Sequence, residues 1–270
     1  METGEVRGSA SMNLMIRSGL IAVVSAATIL AGASAARADG GTVPSAAPPV
    51  ELGVPYFGDN TDRSCTSNGC RVDFWRLPPI LAGDVVTVAW RWTGSGYGPR
   101  MCLTGGIDDF DWYQNPCKLS TAVLGERAGA RSQLTSSAAQ SVAFLQFSEE
   151  TPCAFGCNYK GPYQFTVESI QHAVGLSMDP LSSLSPKGTV TGKVRLSDSS
   201  PVPDGLPVVL TVRNGSDTLV RNATTAGGAV SIPVKLPKAW KGDKVRLSLS
   251  TPASTGYLAA TTPPVKARVG

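Results

Sequence analysis

Val85-Val86-Thr87-Val88-Ala89-Trp90-Arg91-Trp92 is the stretch that decides the fold of the chain's first half. Val86, Val88, Trp90 and Trp92 occupy alternate positions. Successive side chains of a strand point to opposite faces, so these four turn into a core while Val85, Thr87, Ala89 and Arg91 turn away. β-Branched and aromatic residues also suit a pleated, half-buried surface, and the run contains neither Gly nor Pro.

Working outward, period-two runs recur at Val72 to Leu77, Ala143 to Phe147 and Tyr163 to Glu168, separated by Gly, Pro and Asn clusters. Leu124 to Gln140 is rich in Gly, Ser and Thr and is expected to be irregular. From Ala173 to Gly188 the sequence AVGLSMDPLSSLSPKG carries Pro180, Pro186 and several serines, which predicts a linker over residues 173–187. Alternation then resumes at Val190 to Leu196, at Val208, Leu210 and Val212, at Val230, Ile232, Val234 and Leu236, at Val245, Leu247 and Leu249, and at Val265, Ala267 and Val269. About six short strands of this kind build a sandwich. Pro233 has no amide to donate and points to an edge strand or bulge. Asn214-Gly215 signals a hairpin turn.

The expected architecture is all-β, with two β-sandwich domains in tandem, over residues 53–172 and 188–270, after a cleaved signal peptide. A chain of 270 residues, 42% hydrophobic and 16% charged, has the length for two domains and a globular composition. The leader reads from Met12, an alternative start, through Arg17 to an apolar run between Leu20 and Ala35. Ala36-Arg37-Ala38 then fits a small-x-small cleavage site, so residues 1–38 are expected to be removed. The run is about sixteen residues long, whereas a spanning helix needs roughly 20. The expected destination is therefore extracellular or envelope-associated, with no transmembrane anchor after cleavage. Residues 39–52, rich in Pro, Gly and Ala, are expected to form an extended tether.

All six cysteines lie between Cys65 and Cys157. In an exported chain an even number implies disulfides. The spacing suggests three local staples, Cys65–Cys70, Cys102–Cys117 and Cys153–Cys157, although six cysteines permit 15 connectivities. Zinc is disfavoured, because the gaps are long and the single histidine, His172, is far from any pair.

Three short motifs carry a resemblance: Asp73-Phe74-Trp75, the Ala82-Gly83-Asp84 turn before the valine-rich strand, and Gly161-Pro162-Tyr163. With them the segment from Gly53 to Ser169 resembles the bacterial pre-peptidase C-terminal (PPC) domain. It departs from that family in its six cysteines and in a long insertion between Cys102 and Ala143, and no peptidase accompanies it. The second domain, with GLPVVLTV, TTAGGAV and TGYLAATTPPVKARV, resembles a bacterial immunoglobulin-like repeat. These resemblances imply compact sandwiches that accompany secreted enzymes or adhesins as spacers, folding aids or ligand-contact modules.

Chemistry is harder to find. A serine hydrolase needs a base, which only His172 could supply, and no G-x-S-x-G elbow occurs. Asp108, Asp109 and Asp111 are close in sequence, but adjacent acids project oppositely on a strand and make poor glycosidase partners. They are weak calcium candidates, since the D-x-[DN]-x-[DN]-G pattern is not matched. No cofactor is otherwise expected. Phe110, Trp112 and Tyr113, between Cys102 and Cys117, are binding candidates, because exposed rings stack on sugars or peptides; ordinary core packing is the alternative. Tyr97, among Gly94, Gly96 and Gly98, is expected at a hairpin tip between the Trp92 and Met101 strands and is a further contact candidate. Asn214-Gly215-Ser216 and Asn222-Ala223-Thr224 fit a glycosylation pattern and are read as turns.

Charge divides unevenly. Asp39 to Met178 carries 9 Lys/Arg against 13 Asp/Glu, a net −4, and Asp179 to Gly270 carries 12 against 5, a net +7. The expected function is a non-enzymatic, exported binding or adhesion-type accessory module at the cell envelope or outside the cell. The alternatives are a structural envelope or matrix protein with no small-ligand site, and an accessory subunit or inhibitor of a secreted hydrolase. Expected partners are an envelope polymer, a glycan or another secreted protein, and not nucleic acid; oligomeric state stays open.

Overall fold

The computed structural model describes residues 40, 44–59, 73–93, 100–105, 120, 123–124, 129–148 and 161–270. Among them there is no α-helix, only two 3-10 turns, at Pro44–Ala46 and Lys238–Trp240; the regular structure is β. The leader expected over residues 1–38 falls outside the described residues.

The first sandwich uses eight strands: β1 (Pro55–Asp59), β2 (Asp73–Leu77), β3 (Val85–Trp92), β4 (Arg100–Gly105), β5 (Val123–Leu124), β6 (Ala130–Thr135), β7 (Ala143–Ser148) and β8 (Pro162–Gln171). One sheet runs β1-β8-β3-β6 and the other β2-β7-β4-β5, with every pairing antiparallel. The alternation in β3 does what the sequence predicts. Val86, Val88, Trp90 and Trp92 are buried in one core with Trp75, Leu103, Leu145, Phe147, Tyr163 and Phe165 from both sheets. Burying a side chain of this kind contributes about 1.5–3 kcal/mol relative to leaving it in water. The rings interlock, with Phe147 stacked on Tyr163 at 4.4 Å and Trp75 edge-on to Phe165 at 5.0 Å between centroids.

The second sandwich packs the sheet β10 (Ser183–Leu184), β17 (Val265–Val269), β15 (Lys244–Thr251), β12 (Pro207–Asn214) and β13 (Asp217–Thr224), in that order, against a three-stranded sheet β14 (Ala229–Lys235), β11 (Lys187–Leu196) and β9 (Val174–Met178); β16 (Ala260–Thr261) pairs with β15. Its core is aliphatic apart from Trp240. Pro233 lies on β14, an edge strand, where its missing amide costs no ladder bond. Asn214-Gly215 turns the β12–β13 hairpin, with Gly215 at φ 58°, a left-handed conformation that glycine adopts without strain.

Four expectations need correction. Residues 44–52 do not run free as a tether. Val50 N–H bonds the Arg76 carbonyl, Arg76 N–H bonds the Pro48 carbonyl, and Ala47 packs with Phe74 and Phe144 on the outer side of β2 and β7. Residues 173–187 are not a spacer, because they supply β9 and β10; Pro180 and Pro186 punctuate these strands instead of excluding them. The chain from Trp92 to Met101 is not a hairpin. Both sides of β3 are taken by β8 and β6, and β4 pairs within the other sheet, with β7 and β5; Tyr97 itself lies outside the described residues. Strand β6 also occupies part of the segment expected to be irregular.

Candidate functional site

The binding candidates Tyr97, Phe110, Trp112 and Tyr113, the calcium candidates Asp108, Asp109 and Asp111, and Cys65, Cys70, Cys117, Cys153 and Cys157 all lie outside the described residues. Cys102 is described: it is fully buried on β4 and disulfide-bonded, to a partner outside the described residues. Among the described residues no group of three His, Cys, Asp or Glu side chains is placed to hold a metal ion. No described helix is long and apolar enough to cross a membrane.

The motif residues that are described fall into two polar clusters. In the first, β2 and β8 face each other across the sandwich. The Trp75 Nε1–H donates to Tyr163 Oη at 2.9 Å, and Tyr163 O–H donates to Asp73 Oδ2 at 2.7 Å. All three side chains are buried, so this relay ties the two sheets by hydrogen bonds that water cannot replace. Gly58 lies opposite Tyr163 on β1, and a Cβ there would come within 2.2 Å of the ring. The missing side chain is what lets the phenol lie flat against β1.

The second cluster is the joint between the sandwiches. Asp84, fully buried after the Gly83 turn, accepts from Leu81 N–H at 2.7 Å and His172 Nδ1–H at 2.9 Å through Oδ2, and from Ala173 N–H at 3.1 Å through Oδ1. His172 follows β8 directly. Its own N–H donates to the Gly256 carbonyl, its carbonyl accepts from Leu258 N–H, and its ring lies 5.9 Å from that of Tyr257. One residue therefore binds the first sandwich through its side chain and the second through its backbone. With Nδ1 committed to a buried carboxylate, His172 serves as a structural tie. Sequence gave no warning of this pair, because the partners are 88 positions apart.

The basic excess of the second half also resolves into a surface. Arg213 on β12, Lys244 and Arg246 on β15, and Lys266 and Arg268 on β17 are exposed positions that alternate with buried Val212, Val245, Leu247, Ala267 and Val269, so all five project from the outer face of one sheet. Asp198, in a turn of the same sandwich, has its carboxyl held below the ordinary carboxylate value, first by the Ser200 hydroxyl and then by the Ser200 backbone N–H.

No known family profile and no curated protein matches the chain. Among solved structures it is similar to the adhesin domain of Epf from Streptococcus pyogenes, at 10% identity over 80% of this chain and 77% of that one, with a TM-score of 0.37. It is also similar to the glycoside hydrolase domain of Endo-D from Streptococcus pneumoniae, at 13% identity over 77% of this chain and 32% of that one, TM-score 0.23. A third is the exo-chitosanase CsxA of Amycolatopsis orientalis, at 12% identity over 72% and 25%, TM-score 0.22. The chain thus spans about a third of the Endo-D domain. At such scores these likenesses carry no argument about architecture or activity.

Proposed function

We propose that the chain is an exported, non-enzymatic binding module that acts at the cell envelope or outside the cell. The observation that carries this reading is the use made of its reactive groups. The single histidine is spent on the joint with the buried Asp84, and the other buried acid among the described residues of the first sandwich, Asp73, is spent on the cross-sheet relay with Tyr163. A general base must reach a proton on a substrate, and an imidazole held against a buried carboxylate at a domain joint braces the fold instead. What is left for function is the outer faces of the sheets and the aromatic stretch Phe110, Trp112 and Tyr113, which lies outside the described residues. The resemblance to PPC and immunoglobulin-like modules points the same way.

The test uses the mature chain on arrays of glycans and purified envelope polymers, beside the double variant Trp112→Ala, Tyr113→Ala. Binding by the wild type, lost in the variant at an unchanged melting temperature, is the expected result. A wild type that binds nothing on either array, or that turns over a hydrolase substrate with His172→Ala abolishing the rate, overturns the reading.

A further inference from the structure

We infer that the outer face of the sheet β17-β15-β12 is a docking surface for an acidic polysaccharide. Register places like charges directly opposite one another: Lys266 faces Arg246, Arg246 faces Arg213, and Lys244 faces Arg268. Such pairs destabilise a sheet. Strands lie about 4.8 Å apart, so Lys266, Arg246 and Arg213 form a row roughly 10 Å wide, with Lys244 and Arg268 about 7 Å along the strands. That is about one screening length at physiological ionic strength, so the five charges reinforce one field. None of them has a carboxylate within ion-pair distance among the described residues, and the second sandwich is described throughout. Asp243, the residue before Lys244, is bonded by Asn214 Nδ2–H at 2.7 Å, and Arg268 Nε–H reaches the Gly242 carbonyl. The repulsion built into this face is relieved by a counter-charge from outside the chain.

The neighbouring rows select the polymer. Next to the cations stand Ser248 and Thr211 beside Val220, then Ser250 and Asn222 on either side of half-buried Val209, and the hydroxyls and amide of these rows can pair with sugar hydroxyls. The face carries no aromatic ring on which bases could stack, as single-stranded nucleic acid sites use. Its only strongly exposed apolar side chain is Val220, one residue where a membrane site needs an apolar surface to insert. The opposite sheet shows the contrast. Its outward cations are spread out: Lys187 opposes Lys235, but Lys193 opposes Ala229 and Arg195 opposes Gly175, and Asp179 lies on that side, bonded to Thr191. This inference rests on the chain being a binding module, but on residues other than Phe110, Trp112 and Tyr113.

The test titrates the mature protein with sodium polygalacturonate, with neutral dextran, poly-dT and anionic phosphatidylglycerol vesicles as comparisons. Polygalacturonate binding that weakens steadily as salt rises, with none to dextran, is expected. The triple variant Arg213→Gln, Arg246→Gln, Lys266→Gln should bind about tenfold more weakly or worse, with a flatter salt dependence and a melting temperature no lower than wild type. The triple Lys187→Gln, Lys193→Gln, Lys235→Gln removes the same charge from the other face and should stay within about twofold. Equal loss in both triples reduces the effect to net charge and overturns the inference, as does tighter binding to poly-dT or to vesicles. Loss in the Trp112→Ala, Tyr113→Ala variant with the first triple unaffected overturns it while leaving the binding-module reading in place; silence toward every probe and both arrays overturns both.

Discussion

Replacing Asp84 by alanine removes the one group on which the joint converges. Two backbone donors, Leu81 N–H and Ala173 N–H, and the His172 imidazole lose their acceptor together. A hydrogen bond to a charged group is worth about 1.5–3 kcal/mol, and the low end applies to these two partly buried amides, giving about 3 kcal/mol. The imidazole side chain is 32% exposed, so water resolvates much of it and its share is about 0.5–1 kcal/mol. The expected loss is about 3–4 kcal/mol. For a cooperative unit of this size that lowers the melting temperature by roughly 6–16 °C. Asp84→Asn keeps one acceptor oxygen and should fall between, and His172→Ala should cost least. Calorimetry on the three variants and the wild type checks both the size and the order. A His172→Ala loss as large as that of Asp84→Ala, or an Asp84→Ala melt within about 2 °C of wild type, refutes the assignment of the carboxylate as the centre of the joint.

Tyr163→Phe removes the hydroxyl between Trp75 and Asp73 while keeping the ring, and should cost about 2 kcal/mol in guanidinium unfolding, since it strips partners from a buried indole N–H and a buried carboxylate. Asp198 has a depressed folded-state pKa, so the stability it contributes is present above the ordinary carboxylate range and is lost as pH falls through the folded value. Ser200→Ala, which deletes the largest cause of that depression, should raise the Asp198 titration midpoint seen by carboxyl NMR; an unmoved midpoint contradicts the assignment.

Which parts of the fold were legible in the sequence follows from how unequal the two faces of each strand are. β3 has one face wholly in the core, and its Val-x-Val-x-Trp-x-Trp alternation is plain. β13 is the edge strand of its sheet and no side chain on it is fully buried, so Asp217 to Thr224 shows no usable period. β9 did alternate, with Val174, Leu176 and Met178 turned toward the second core, but Pro180 and the serines after it masked the signal. The Pro-rich stretch before β1 looked loose because composition reports on the backbone's freedom, whereas its docking depends on where Ala47 and Val50 find apolar neighbours. The joint was hidden because hydrogen bonding between Asp84 and His172 is a property of the finished topology. The basic excess was countable from the start, but which cations share a face needs the register.

The three motifs that drew attention in the first sandwich, Asp73-Phe74-Trp75, Ala82-Gly83-Asp84 and Gly161-Pro162-Tyr163, place their polar atoms inside the protein. Asp73 and Tyr163 close the sandwich on itself, and Asp84 fastens it to its neighbour. Buried carboxylates are tolerated when donors converge on them, and here the fold itself supplies those donors. The cations of the second sandwich stand in the opposite condition, exposed, mutually repelling and without acidic partners. Among the described residues the buried acids Asp73 and Asp84 are engaged within the fold while these five cations face outward, and that contrast is why the β17-β15-β12 face, and not the motif carboxylates, is the proposed docking surface.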